Sequence, residues 1–164
     1  MSKYRPIPTI DTIIIHCAAT QNGRANTIED IDSWHHQRGF KRHSDARLGE
    51  GPWQTAPYTM QQPHLRSVGY HIVIGANGEQ WPGRSINESG AHAKGHNGGS
   101  IGICMLGTDK FSLEQWQSLK QIIKGYQTLI DDLAIIGHRD VNPHKTCPGF
   151  DVSAWLDHDM HPME

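Results

Sequence analysis

The chain has 164 residues, a formal net charge of -2 at pH 7 and 36% hydrophobic residues, enough for one domain with a real core and no disulfide staples. That balance excludes electrostatic capture of nucleic acid or of an anionic membrane, and no apolar run approaches the ~20 residues of a membrane span. The 3 cysteines, an odd number, make no disulfide framework, and the opening MSKYRP lacks a signal peptide's apolar centre, so synthesis in the cytosol is expected.

Residues 10–15, IDTIII, form the first apolar run and end in His16. A polar loop then leads to Thr27, which with Asp30 resembles a capping box. A helix is predicted from Ile28 to Gln37, with Ile28, Ile31 and Trp34 or His35 facing inward and Gly39 ending it. Residues 41–67 are polar, carry three prolines and hold no sustained period. They read as a long surface excursion with a short helix near 56–61; a substrate-edging segment and an inert insertion both fit.

Order returns with a predicted strand over residues 69–74, GYHIVI, followed by a hairpin turn carrying the Asn77-Gly78 signal. On strand spacing Tyr70 shares a face with Ile72 and Ile74 and reads as a buried structural side chain, with His71 opposite. Residues 89–100 form a small-residue loop holding His92, Lys94, His96 and Asn97, which fits no phosphate-loop pattern. A buried strand over 101–106 follows. Ser112 and Gln115 form a capping box for the longest helix, about 113–131, whose apolar stripe is Leu113, Trp116, Leu119, Ile123, Tyr126 and Ile130. The stripe is core, and Cys17 and Cys104 sit in strand-like apolar contexts as packed thiols.

Residues 134–136 make another short apolar strand that runs through Gly137 into a polar loop with His138, Lys145 and Cys147, stiffened by Pro143 and Pro148. Asp151 can cap a last short helix through Trp155. The tally is an α/β single domain, spanning 1–164, with a central mixed β-sheet flanked by helices.

One histidine after a strand carries little in a chain with 12 of them. Here two strands end in a histidine, His16 and His138, and Cys147 lies in the loop beyond the second. If those strands are neighbours, two imidazoles and a thiolate converge with room for a water. Three protein ligands and one open position is the arrangement of a catalytic zinc site.

Three segments, IDTIIIHCAAT, VGYHIVIGANGEQWPGR through SGAHAKGHNGGSIGICMLGT, and IIGHRDVNPHKTCPGFD, resemble the zinc-dependent N-acetylmuramoyl-L-alanine amidases. The likeness is to the small phage lysozyme-type enzymes, which share their fold with the peptidoglycan recognition proteins. It covers most of the chain in the family's order; the 41–67 excursion departs from the shortest members and leaves substrate detail open. The resemblance implies one Zn2+ per chain on His16, His138 and Cys147. It implies that Tyr70 lines the metal site, against the structural reading above, and that Lys145 meets the developing oxyanion. It also places His92, Lys94 and Asn97 beside the substrate groove. The implied job is hydrolysis of the amide between N-acetylmuramic acid and L-alanine, as a monomeric endolysin acting on periplasmic peptidoglycan after release. A regulatory protein partner stays open. Two alternatives stay open with it: a cytosolic muropeptide-recycling amidase, and a non-catalytic peptidoglycan-binding protein, the latter disfavoured by the presence of Cys147.

Overall fold

The computed structural model describes residues 2–55 and 62–163. Strands β1 (Thr12–Cys17), β2 (Ile72–Ile74), β3 (Gln80–Pro82), β4 (Ser100–Met105) and β5 (Ala134–Gly137) form one sheet in the order β3-β2-β4-β1-β5. All neighbours are parallel except β2 and β3, which form the antiparallel hairpin around Asn77-Gly78, so the sheet is mixed as expected.

Central β4 is buried at every position, which follows from helices covering both faces. On one face Ile13, Ile15, Ile101, Ile103 and Met105 pack against Trp116, Leu119 and Ile123 of the long helix. On the other, Val73, Cys104 and Leu106 meet Ile28 and Ile31 of helix α1 (Ile28–Gln37). Each isoleucine so buried is worth roughly 1.5–3 kcal/mol of transfer free energy, so β1 is among the best-anchored elements.

In α1 the inward residue is His35, 5% exposed, and Trp34 is 38% exposed. A five-residue helix, α2 (Ser44–Leu48), and a 3-10 turn (Gly51–Thr55) follow it. These correct the reading of 41–67 as a surface excursion: Ala46, Trp53 and Leu65 are buried, and the Trp53 ring lies 5.4 Å from Tyr4 and 5.7 Å from His43. The short helix expected near 56–61 falls outside the described residues.

The long helix, α3 (Leu113–Leu129), has the predicted reciprocal cap: Ser112 N donates to Gln115 Oε1 at 2.9 Å and Gln115 N to Ser112 Oγ at 3.1 Å. Leu113 is solvent-facing instead of inward, 56% exposed. At ~100° per residue it lies roughly 120° from Leu119, and Ile122 fills the inward stripe. Helix α4 (His138–Val141) is a single turn where a loop was expected, and α5 (Val152–Asp157) is capped by Asp151 as predicted, through Ala154 N to Asp151 Oδ1 at 3.1 Å.

The predicted strand over 69–74 is regular only from Ile72. Tyr70 therefore escapes strand alternation: it packs in the α1-side cluster, whereas Ile72 and Ile74 pack on the α3 side. The backbone before it is held by side chains instead of a neighbouring strand. Ser67 N and Val68 N donate to Asp32 Oδ1 at 2.6 and 2.7 Å, and Gly69 N donates to His35 Nδ1 at 2.8 Å. Helix α1 thus aims Tyr70.

Beneath this stretch lies a buried ionic cluster. Arg42 Nη2 meets Glu88 Oε2 at 3.0 Å, Arg84 Nη1 meets Oε1 at 4.0 Å, and all three side chains are at most 1% exposed. Arg42 Nη1 also donates to Leu65 O at 2.8 Å and Arg84 Nε to Val68 O at 2.7 Å. A buried carboxylate flanked by two guanidiniums is tolerable only while the set is complete. Glu88→Ala is expected to cost about 3–5 kcal/mol in urea unfolding, by stranding two buried cations; a loss under about 1 kcal/mol would show that the cluster does not hold this region.

Candidate metal centre

Strands β1 and β5 are paired in parallel, with Ile15 opposite Gly137. The next residue of each is a histidine, so His16 and His138 leave adjacent strand ends together, with ring centroids 4.5 Å apart. Gly137 lets the closing loop return close to the strand end: a Cβ there would sit 2.8 Å from Pro148 Cδ. Arg139 N donates to Cys147 O at 2.8 Å, and Lys145 N to Asn142 O at 3.0 Å, folding the loop back over α4. His16, His138 and Cys147 therefore each offer a ligand atom within 4.8 Å of the others, within reach of one cation.

The donor set suits zinc. Two neutral imidazoles and a thiolate are zinc ligands, and three of them leave a position open. Burial, then the neighbouring imidazoles, hold His16 well below the ordinary histidine range; burial and then the charge of Lys145 lower His138. Both rings are thus neutral with lone pairs available. The adjoining Cys17 thiol and burial push the Cys147 thiol up, whereas the Cys17 amide works the other way, donating N–H to Cys147 Sγ at 3.1 Å. A cation bound there would replace the thiol proton, and the Cys17 N–H hydrogen bond to sulfur would still orient the thiolate.

The centre lies in a cleft of about 740 Å³. Tyr70 forms part of its wall, its ring 5.0 Å from His16 and 5.2 Å from His35. Burial, followed by the nearby cysteines, raises its phenol well above the usual tyrosine range, so it stays protonated. Lys145 is exposed on the cleft wall, as is Lys94. His92 and Asn97 also line the cleft but are turned into the protein. His92 Nδ1 lies 2.8 Å from His16 Nε2, and Asn97 Oδ1 accepts from His92 N and Ala93 N, both at 2.9 Å. All eight residues singled out from the sequence thus border one cleft.

Sequence reasoning missed Arg38, Phe40, Thr108 and Asn142, which also line the cleft. Arg38 stacks over Phe40, 4.8 Å from the ring centroid; both flank the Gly39 that ends α1, a position that could have pointed to them. His144 is exposed on the rim. Cys17, assigned as a packed thiol, is half-buried and supplies the amide that reaches Cys147.

Two histidines at the C-terminal ends of neighbouring parallel strands, with a loop cysteine folded back over them, form a group that could hold one metal ion at the wall of an open cleft. Comparison with known proteins is specific. A profile of the N-acetylmuramoyl-L-alanine amidase family matches residues 5–150, so the chain belongs to that family. The endolysin of Enterobacteria phage T3 is 29% identical over 161 residues, covering 93% of this chain and 89% of the relative. Among solved structures, the N-acetylmuramoyl-L-alanine amidase LysC from Clostridium intestinale aligns with a TM-score of 0.70 at 22% identity, covering 97% of this chain and 90% of that one. Peptidoglycan recognition protein-LE in complex with tracheal cytotoxin, a monomeric diaminopimelic acid-type peptidoglycan, aligns at 0.68 and 19%, covering 95% and 84%. These two establish the shared fold.

Proposed function

We propose that this amidase works with one zinc ion held by His16, His138 and Cys147, and cleaves the bond between the lactyl group of N-acetylmuramic acid and L-alanine in cell-wall peptidoglycan. The observation that carries the reading is the convergence of those three ligand atoms within 4.8 Å in a chain of this family. When bound, the ion supplies Lewis acidity, making a water acidic enough to attack near neutrality and polarising the scissile carbonyl.

The chain's own groups do the rest. An amide is a poor electrophile, and attack places negative charge on the carbonyl oxygen. Lys145, whose ammonium is close enough to lower His138, stands ready to meet that charge as a preorganised donor. Tyr70, held protonated on the cleft wall, is the group proposed to orient the reacting groups. Lys94 and Arg38 line the cleft as cations, suited to the carboxylates of a stem peptide. Every proposed ligand comes from one chain, so a monomer suffices. No helix among the described residues is long and apolar enough to cross a membrane. The proposed place of work is the wall, reached after synthesis in the cytosol.

Digestion of purified sacculi tests the reading. The protein should release stem peptides beginning with a free L-alanine amine, and Cys147→Ala should lose both zinc and activity; full activity in zinc-free Cys147→Ala protein would end the mechanism. Lys145→Ala should retain zinc and lose turnover by roughly 10²-fold or more. Loss of the metal from that variant would instead assign Lys145 to holding the site.

A further inference from the structure

The inward turn of His92 has a chemical consequence for His16. Ser100 is 1% exposed and has one hydroxyl proton, and its Oγ lies 2.7 Å from the carbonyl oxygen of His96 and 3.3 Å from His92 Nε2. A carbonyl only accepts, and it is the nearer partner, so the hydroxyl proton goes to His96 O. The serine oxygen then accepts, and His92 Nε2 must carry the proton that it accepts. In a neutral imidazole that leaves Nδ1 as a lone pair. His92 Nδ1 faces His16 Nε2 at 2.8 Å, so His16 Nε2 carries the N–H and donates it. By this chain of single assignments, the free lone pair of His16 is on Nδ1, the nitrogen left to face a metal.

We infer that His92 is a positioning residue for the metal centre, with Ser100 behind it: together they fix the tautomer and rotation of His16, and His92 is not a substrate contact. The inference rests on the reading that His16 is a metal ligand.

The surroundings are built for that ring. Gly102 on β4 lies beneath it, and a Cβ there would stand 2.6 Å from His92 Cγ and Cδ2. A Cβ at Gly90 would stand 2.4 Å from Cδ2. Two glycines thus leave a slot of imidazole thickness. Ser100 is itself fixed, since Arg5 Nη1 donates to its carbonyl oxygen at 2.6 Å. Asn97 Oδ1, by accepting from His92 N and Ala93 N, pins the backbone that carries the ring. A metal-bound histidine commonly passes its second N–H to a carboxylate or carbonyl. Here the acceptor is a neutral imidazole, which orients His16 without adding negative charge to the centre. Formal counting on two imidazoles and one thiolate then leaves the site one net positive charge with a divalent ion, preserving its Lewis acidity.

The test uses the full chain. In 15N-histidine-labelled protein, long-range 1H–15N correlation spectra should show His16 and His92 both as Nε2–H tautomers; an Nδ1–H tautomer at His92 would overturn the inference. Zinc affinity, measured by competition with a chromophoric chelator, should fall roughly 10–100-fold in His92→Phe, which fills the slot but cannot accept a hydrogen bond. Ser100→Ala should weaken zinc in the same direction, and His92→Gln, whose amide oxygen can accept, should recover part of the loss. Unchanged zinc affinity in His92→Phe with a raised KM would make His92 a substrate contact and sink the proposal. A wild-type chain that binds no zinc would fail the metal reading itself, and the tautomer spectra would still decide the assignment of His92.

Discussion

The register between β1 and β5 is the constraint on which the rest depends. Ile15 opposite Gly137 puts two residues separated by most of the chain's length at neighbouring strand ends. A slip of one residue would send His16 to the other face of the sheet, away from His138 and Cys147. The slip is resisted by burial on both faces of β1, whose Ile13, Ile14 and Ile15 are at most 1% exposed. The apolar core is therefore what gives the candidate metal site its precision: buried strands present the two histidines, and one glycine lets the loop with Cys147 fold back over them.

Around that centre the protein spends polar groups where a larger sheet would have used strands. The stretch before β2 is not in the ladder, yet each of its amide donors at 67, 68 and 69 has a side-chain acceptor on α1. The Arg42–Glu88–Arg84 cluster fills the space beneath, its guanidiniums bound to backbone carbonyls as well as to the carboxylate. Buried charge of this kind is a poor source of net stability but a strong specifier of one arrangement when fully paired. It ties down the wall bearing Tyr70 without regular secondary structure, beside the candidate metal site.

Much of this was legible in the sequence because its signals were local. The apolar runs ending in His16 and His138, the capping boxes of α1 and α3 and the Asn77-Gly78 hairpin each rest on a few adjacent residues. What the sequence concealed was long-range. Arg42, Trp53 and Leu65 look like parts of a polar excursion because their partners, Glu88, Tyr4 and the α1 face, lie far away along the chain. Tyr70 was misplaced by extending strand alternation two residues ahead of Ile72, the first residue in the ladder. His92 was readable as a residue near the groove, but its direction depends on Ser100 and Gly102, which alternation shows only as buried strand. The resemblance to amidases supplied candidate roles, and the geometry separates those facing the cleft from those facing the protein.

The most direct measurement of the central claim is zinc K-edge X-ray absorption on the purified, stoichiometrically loaded protein. The account predicts one sulfur scatterer at about 2.3 Å and nitrogen or oxygen scatterers at about 2.0–2.1 Å, with outer-shell features of two imidazoles and a coordination number near four. A first shell without sulfur, or with a single imidazole, would mean that the two ends of the chain do not share one ion.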